Sequence, residues 1–331
     1  MAAPDTRTLT LVDIPLLRRL GTSGTILDSE TGLTRDARGA KSSLLSSILF
    51  SRGIYTLVAR ADTQQVVGQF RYRQDDANAH IVYLAPSPDD ETENTAWLHI
   101  LDAMAREAGR HGAHAIVAEV EPDNHIFETM RMARFAVYAR QIIFRHPPLK
   151  MKKEDSSVDL RPETTTDQIG VLSLITRTIP AMLQQITAPQ NDAGGLVYRR
   201  DGIVEAYLSV TCGTHGIYIL PYIHPDVMHQ AADILMTAIA LTEQAHRMPV
   251  YVCVRNYQCW LHGTLETLGF ESWIEQAIMV KHIAAGVRSR AYDSLKIKTQ
   301  QFEAIAVPQS SSWWGSLPYP SDEKRTNLND R

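Results

Sequence analysis

Cysteine is scarce in this 331-residue chain, which contains only Cys212, Cys253 and Cys259. An odd, sparse set does not make a disulfide framework and is consistent with a reducing compartment. Cys253 and Cys259 are separated by six positions, which matches no zinc-binding spacing. The cysteines therefore predict neither disulfides nor a metal site.

Long apolar segments and an excess of charge are also missing. No run of about 20 apolar residues exists, which excludes a membrane-spanning helix. The first residues, MAAPDTRTLT, lack the charged start and apolar core of a secretory signal, so we expect a cytoplasmic protein. The 33 basic residues are outnumbered by 37 acidic ones, which argues against a nucleic-acid partner.

The short motifs of several enzyme classes are absent too. The chain contains no Gly-x-Ser-x-Gly turn, no phosphate-binding P-loop and no glycine fingerprint of a dinucleotide-binding fold. It does contain ample core material, since 44% of its residues are hydrophobic. That share is typical of a folded globular protein.

Proline and charge divide the chain near its middle. Residues 146–157, HPPLKMKKEDSS, combine two prolines with a charged stretch that has little to bury. We therefore predict a first domain over residues 1–147, a linker over 148–157 and a second domain over 158–283.

The end of the chain differs from both domains. Residues 284–331 end in a polar stretch rich in serine and proline, and we expect most of this tail to be disordered. Trp313 and Trp314 are either part of a poorly ordered end or an aromatic anchor that docks on a domain or a partner.

The two predicted domains repeat each other at a spacing of 135 residues. One offset aligns them without gaps over a long window, and the identical residues that it superimposes include Phe135 and Phe270, His80 and His215, and Gln141 and Gln276. We interpret this as internal repetition at the scale of a domain.

Each half also shows the same order of elements. An amphipathic opening is followed by a β-hairpin, a strand, a long helix, a strand, a short helix and a last strand. The long helices are predicted near residues 94–110 and 226–245, and the last strands, which we expect to close each unit, near 137–144 and 273–280. Antiparallel hairpins joined to strand–helix–strand units predict an α/β (α+β) architecture with a mixed sheet.

Both halves end in a similar segment. The second half carries LETLGFESWIEQAIMVKHI at residues 265–283. The first half carries MRMARFAVYARQIIFRH at residues 130–146, with Arg134 at the place of the glycine. These segments resemble the closing segment of the Gcn5-related N-acetyltransferase (GNAT) superfamily, where a short helix ends in Gly-Phe before the final strand. The resemblance spans residues 7–146 and 158–283, and it implies two tandem GNAT-like (acyl-CoA N-acyltransferase) domains.

The resemblance also implies a place for acetyl-CoA, between two splayed strands, with its pyrophosphate on backbone amides at the start of the next helix. The family's motif there is Gln/Arg-x-x-Gly-x-Gly/Ala, because glycines let the backbone approach the phosphates. In the first half, Asp89, Thr92 and Asn94 stand at these positions, among four carboxylates that oppose an anion.

In the second half, the resemblance places His224 at the basic position and Val227 and His229 at the glycine positions. Our candidate cofactor-binding residues are therefore His224, Val227, Met228 and His229, which mark a degenerate pyrophosphate loop. They imply acetyl-CoA as the cofactor if the protein is active, and no cofactor otherwise.

Acid–base residues are equally altered. Many family members carry a tyrosine five residues before the closing phenylalanine, and here those positions hold Met130 and Leu265, which cannot transfer a proton. Glu119 in a predicted strand and Glu205 in a predicted hairpin are the candidate bases, since burial can raise the pKa of a strand carboxylate.

Two functions from different classes follow. The first is a GNAT-like protein with a lost or much weakened acetyl-CoA site, which acts as a binding or structural module. The alternative is an active N-acetyltransferase in which a small primary amine attacks acetyl-CoA directly at the atypical site of the second domain. The pattern specifies no oligomeric state.

Overall fold

The computed structural model describes residues 5–10, 13–20, 23–35, 53–61, 64–74, 76–88, 94–148, 158–187, 194–242 and 244–283. All of these described residues belong to one compact unit. The predictions for the tail, including Trp313 and Trp314, and for the acidic loop at Asp89 lie outside the described residues.

The N-terminal half (residues 5–148) contains the predicted elements in their predicted order, with two short strands and a helix added before the hairpin. Its strands and helices are β1 Asp5–Thr8, α1 Ile14–Leu20, β2 Thr25–Ile26, α2 Ser29–Arg35, β3 Ile54–Ala61, β4 Gln64–Arg71, β5 Asn78–Ala85, α3 Thr95–His111, β6 Ala115–Val120, α4 His125–Met132 and β7 Ala136–His146.

The C-terminal half (residues 158–283) repeats most of this order. Its strands and helices are β8 Leu160–Pro162, α5 Gln168–Thr178, α6 Ala181–Thr187, β9 Gly194–Arg200, β10 Ile203–Cys212, β11 Ile217–Ile223, α7 Ala231–Leu241, β12 Val250–Arg255, α8 Leu261–Thr267 and β13 Glu271–His282. Short 3-10 segments at Thr165–Asp167, Pro225–Gln230 and Asn256–Gln258 precede α5, α7 and α8.

All thirteen strands form one mixed sheet in the order β1-β3-β4-β5-β6-β13-β7-β12-β11-β10-β9-β8, with β2 beside β5. Only β5–β6 and β11–β12 are parallel among the pairs described. Helices cover both faces, because α3 packs on the side of Ile116 and Ala118 whereas α5 and α6 pack on the side of Ala115 and Val117. The predicted mixed α/β architecture is confirmed.

The two halves exchange their last strands. β13 of the C-terminal half lies between β6 and β7, and β7 in turn pairs with β12. We expected each last strand to close its own half, and instead each is shared between both halves. Gln141 lies directly opposite Gln276 in this pairing, and the pair Ala139–Ile278 is matched by Ile143–Ile274. An approximate two-fold axis therefore passes between the two glutamines.

The constant offset does not hold in β5 and β11. His80 pairs with Val117, and the corresponding pair in the other half is Ile219 with Val252. His215 lies in the turn before β11, so it is not the structural equivalent of His80. An identity between two histidines is weaker evidence of equivalence than strand register, because register is fixed by the backbone ladder and the buried face.

The helix ends before the last strands are alike in conformation although their residues differ. Gly269 has a φ of 83° and Arg134 a φ of 67°. Phe270 and Phe135 then donate their N–H groups to Leu265 and Met130 at 2.9 and 3.0 Å. The N-terminal half thus closes α4 in the same left-handed way as the glycine, with a side chain that pays a steric cost there.

A further repeated element, which was not predicted from the sequence, lies near both ends of the sheet. Asp167 is fully buried and accepts hydrogen bonds from Arg161 and Arg199, with its shortest guanidinium contacts at 2.7 Å. It also accepts from the Thr164 amide at 2.9 Å. Hydrogen bonds from Arg161, which outweigh the effect of burial, hold the pKa of Asp167 well below its usual range.

The N-terminal half has a smaller version of this element. Arg7 donates to both carboxylate oxygens of Asp13 at 2.6 Å, and the Thr10 amide donates at 2.9 Å. The pKa of Asp13 is lowered chiefly by Arg7. The spacing Arg-x-x-Thr-x-x-Asp is therefore common to both halves and joins the first strand to the first helix.

Candidate functional site

Each half contains a pair of parallel strands that separate after three residue pairs. β5 and β6 are paired from Asn78–Ala115 to His80–Val117, and β11 and β12 from Ile217–Val250 to Ile219–Val252. The resemblance noted above places acetyl-CoA in such a gap. The residues that occupy each gap therefore determine whether a ligand can enter it.

In the N-terminal half, the chain itself lies in the gap. Thr25 pairs with Leu84 of β5, the Leu27 amide donates to the Val82 carbonyl at 2.9 Å, and the Glu119 amide donates to the Leu27 carbonyl at 2.9 Å. Residues 24–29, here called the inserted segment, thus bond to both β5 and β6.

The inserted segment is tightly packed as well as hydrogen-bonded. Leu27 is 1% exposed. A Cβ on Gly24 would lie 2.1 Å from the hydroxyl oxygen of Tyr83 and 2.7 Å from the carbonyl oxygen of Leu84. Only glycine therefore lets the chain enter the gap at this point.

Glu119, one of the two predicted bases, lies where the inserted segment meets β6. Its Oε2 accepts a hydrogen bond from the Ser29 amide at 2.8 Å. Burial, together with the negative charge of Asp28, raises the pKa of Glu119, although hydrogen bonds from Ser29 and Gln141 work in the other direction. A carboxyl group with a raised pKa can accept a proton near neutral pH.

Glu119 belongs to a group of titratable side chains where the two halves meet, which we call the junction cluster: Asp28, Glu30, Arg71, His80 and Glu119. Arg71 contacts Asp28 at 3.1 Å, and Thr211 of the C-terminal half donates to Glu30 at 2.9 Å. The residues come from the inserted segment, α2, β4, β5 and β6.

The charges of this cluster are strongly coupled. Burial would raise the pKa of Asp28, but Arg71 holds it below its usual value. Burial and then the charge of Asp28 raise the pKa of Glu30. Burial and then Arg71 lower the pKa of His80 to about 4, so its imidazole is neutral at pH 7.

In the C-terminal half, the candidate cofactor loop lies between β11 and α7, as the sequence predicts. His224 caps it, because its Nδ1 accepts from the Asp226 amide at 3.3 Å and its carbonyl accepts from the Val227 amide at 3.0 Å. Val227 is fully buried in the core, whereas Met228 and His229 are exposed. The first amides of the loop therefore already have partners within the chain.

Glu205, the second predicted base, lies beside this loop. Its Oε2 is 3.4 Å from Nδ1 of His224, and its Oε1 is 3.8 Å from a guanidinium nitrogen of Arg177. The Glu205 side chain is buried, and its carbonyl accepts from the His224 amide at 2.8 Å. The structure thus brings together Glu205 and His224, which were predicted separately as a candidate base and a candidate cofactor-binding residue.

The gap between β11 and β12 is bridged by a side chain. Gln258 is buried and its Nε2 donates to the Pro221 carbonyl at 2.8 Å. Pro221 lies inside β11. The residues at the positions of the family's tyrosine, Met130 and Leu265, are both fully buried in apolar cores.

Asp28, Glu30 and Arg71 were not predicted from the sequence. No local spacing links them, because they meet only through packing of α2, β4 and the inserted segment. Within the described ranges, no three His, Cys, Asp or Glu side chains converge closely enough to hold a metal ion. No helix of the described part is long and apolar enough to span a membrane.

Comparisons with known proteins give similarity in structure only. No protein-family model matches the chain, and no curated protein matches it. A Gcn5-related N-acetyltransferase from Sphaerobacter thermophilus superposes with a TM-score of 0.52 at 11% identity, over 85% of this chain and 96% of that chain. A tandem GNAT protein from the clavulanic acid biosynthesis pathway gives a TM-score of 0.49 at 15% identity, over 85% and 99%.

At such low identity the likeness shows the fold and nothing further. The superposition on the Sphaerobacter protein covers more of this chain than either half contains, so it runs through both. The chain therefore has the fold of the Gcn5-related N-acetyltransferases, in two tandem copies that share one sheet.

Proposed function

We propose that this GNAT-like protein has lost, or greatly weakened, its acetyl-CoA sites and acts as a binding or structural module. The inserted segment carries this proposal. Its backbone forms hydrogen bonds with the Val82 carbonyl and the Glu119 amide, in the gap where a GNAT fold would bind the cofactor. To bind there, a ligand would have to replace these bonds and expose Leu27.

The loop of the C-terminal half supports the same conclusion. A pyrophosphate needs free amides at a helix start, and those of Asp226 and Val227 are bonded to His224. Val227 contributes its side chain to the core, so this position does not offer the close backbone approach of a glycine. Asp226 adds a negative charge where the phosphates would lie.

One observation favours the alternative, an acetyl-CoA-dependent N-acetyltransferase in the C-terminal half. Glu205 has a buried Oε2 that accepts no hydrogen bond from the described residues, and it lies beside His224. In that reaction a primary amine attacks the thioester carbonyl, the C–N bond forms and the C–S bond breaks. The amine proton passes to Glu205, and the CoA thiolate leaves.

A thermal shift of the full chain with acetyl-CoA distinguishes the two functions. A site with a Kd of about 10 μM would add about 2.7 kcal/mol at about 1 mM ligand and raise Tm by several degrees. We expect no shift beyond that given by ATP at the same concentration. A saturable shift, together with amine acetylation that Glu205→Gln abolishes, would establish the alternative instead.

The location is part of the same proposal. Cys212 and Cys259 are exposed and unpaired, and Cys253 is buried and unpaired. Free thiols of this kind are stable in a reducing compartment, which supports a cytoplasmic protein.

A further inference from the structure

The junction cluster contains more acidic than basic groups. Arg71 forms an ion pair with Asp28 and its charge also acts on Glu30, so the described cluster has one cation for the three carboxyl groups of Asp28, Glu30 and Glu119. His80 adds no charge at pH 7. Two buried or half-buried carboxylates therefore require either protons or a further cation.

The neighbouring titratable groups of the C-terminal half do not supply that cation. Arg255 directs its guanidinium to the Thr187 carbonyl at 3.0 Å and contacts the Tyr257 hydroxyl at 3.4 Å. Burial raises the pKa of Tyr218 and of Cys253, so both are neutral at pH 7.

Water reaches the cluster, and both halves line it. Glu30, His80 and Glu119 are each partly exposed among the described residues, and Thr211 of β10 contacts Glu30. The two glutamates lie on separate elements, α2 and β6. A ligand that bridges them would therefore contact the place where the N-terminal half meets the C-terminal half.

An unsatisfied acceptor lies at the same place. Gln141 is 1% exposed and hydrogen-bonded to Glu119, and its Nε2 donates to Gln276 at 3.0 Å. Its Oε1 is buried and accepts no hydrogen bond from the described residues. A buried oxygen without a donor is costly, and an N–H group of a ligand would satisfy it.

We propose that the junction cluster binds a guanidinium group, held between Glu30 and Glu119 with a hydrogen bond to Gln141. This inference rests on the proposed function as a binding module, and it assigns that module a ligand. A guanidinium offers five N–H donors in a rigid plane, is weakly hydrated and stays charged in a desolvated site. Because the acidic groups do not converge on one point, they suit the widely spaced donors of a guanidinium better than they suit a metal ion.

Isothermal titration of the full chain tests the proposal with a matched pair of probes, n-butylguanidinium and n-butylammonium. We expect saturable binding of the first and binding at least about tenfold weaker for the second. Glu119→Gln and Glu30→Gln should each weaken binding by about tenfold or more, because each removes a charge-assisted contact. Glu275→Gln is the control. Glu275 is exposed, and this substitution removes the same charge outside the junction cluster.

Proton release provides a second readout. Because burial raises the folded pKa values of Glu30 and Glu119, protons compete with a cation for these carboxyl groups, and binding of a cation releases any proton that they hold. Binding should therefore strengthen as the pH rises. The observed heat should also depend on the ionisation enthalpy of the buffer, an effect that a purely structural role would not produce.

Absence of saturable binding at millimolar n-butylguanidinium would overturn the proposal, as would equal binding of both probes or equal binding in wild type and Glu30→Gln. If Glu119→Gln does not fold, Glu30→Gln decides. Failure here leaves the acetyl-CoA result untouched. Conversely, turnover with acetyl-CoA would refute the proposed loss of that site without affecting guanidinium binding.

Discussion

Replacement of Asp167 by asparagine should strongly lower the free energy of unfolding. The carboxylate accepts bonds from two guanidinium groups and from Thr164, and the side chain is fully buried. Removal of one partner from a buried ion pair typically costs about 3–5 kcal/mol. Because Arg161 and Arg199 are 39% and 34% exposed, water compensates part of the loss, and we expect about 2–3 kcal/mol.

The repeated element supplies the matched control. Asp13→Asn removes a carboxylate with one arginine partner, Arg7, which is 46% exposed. We expect a loss of about 1 kcal/mol, which is smaller because fewer charge-assisted bonds disappear. Urea unfolding of both variants and the wild type at pH 7 gives the comparison directly.

The dependence on pH tests the electrostatic origin of these losses. The folded pKa of Asp167 lies below its unfolded value of about 3.9, so the stabilisation is complete above that value and disappears as the pH falls through the folded pKa. The difference between wild type and Asp167→Asn should therefore shrink from pH 7 to pH 3. An equal difference at both values would show that packing, not charge, is responsible.

Three further predictions concern helix ends, thiols and strand exchange. Gly269→Arg should lower the free energy of unfolding by about 1 kcal/mol, and Arg134→Gly should raise it by up to about 1 kcal/mol, because both positions have a positive φ. Unchanged urea unfolding curves would refute this prediction. Burial raises the pKa of Cys253 to about 12, so a thiol reagent should modify Cys253 only after unfolding, whereas it should modify the two exposed cysteines in the folded protein. Rapid modification of all three cysteines in the folded protein would contradict the burial of Cys253. A chain cut after residue 150 should yield pieces that unfold cooperatively only when mixed, which circular dichroism would detect, and an independently stable piece would contradict the exchange of strands.

The parts of the fold that the sequence predicts are those with local or periodic signals. The Leu-Gly-Phe end at Gly269 marks a helix stop by backbone chemistry, and the structure has its left-handed conformation. The match of Gln141 with Gln276 indicates the repeat, and the two residues face each other across the approximate axis. Where a signal depends on one residue type at one place, sequence is sufficient.

The parts that the sequence does not predict depend on contacts between distant segments. The segment around Thr25 is too short for a strand pattern, yet it pairs in the gap of the N-terminal half. Asp28 and Arg71 are 43 positions apart, and Glu30 meets Thr211 over 181 positions. Such pairings follow from the packing of whole elements, which no local spacing encodes.

The exchange of last strands within one chain lets the two halves acquire different substitutions. In a two-chain assembly of identical subunits built this way, any substitution would appear at both ends of the axis, and association would depend on concentration. Joined by residues 148–157, the halves meet at a high effective concentration, and each substitution appears once. One end can thus fill its gap with the inserted segment while the other bridges its gap with Gln258, and the shared ladder around Gln141 holds both in a single molecule.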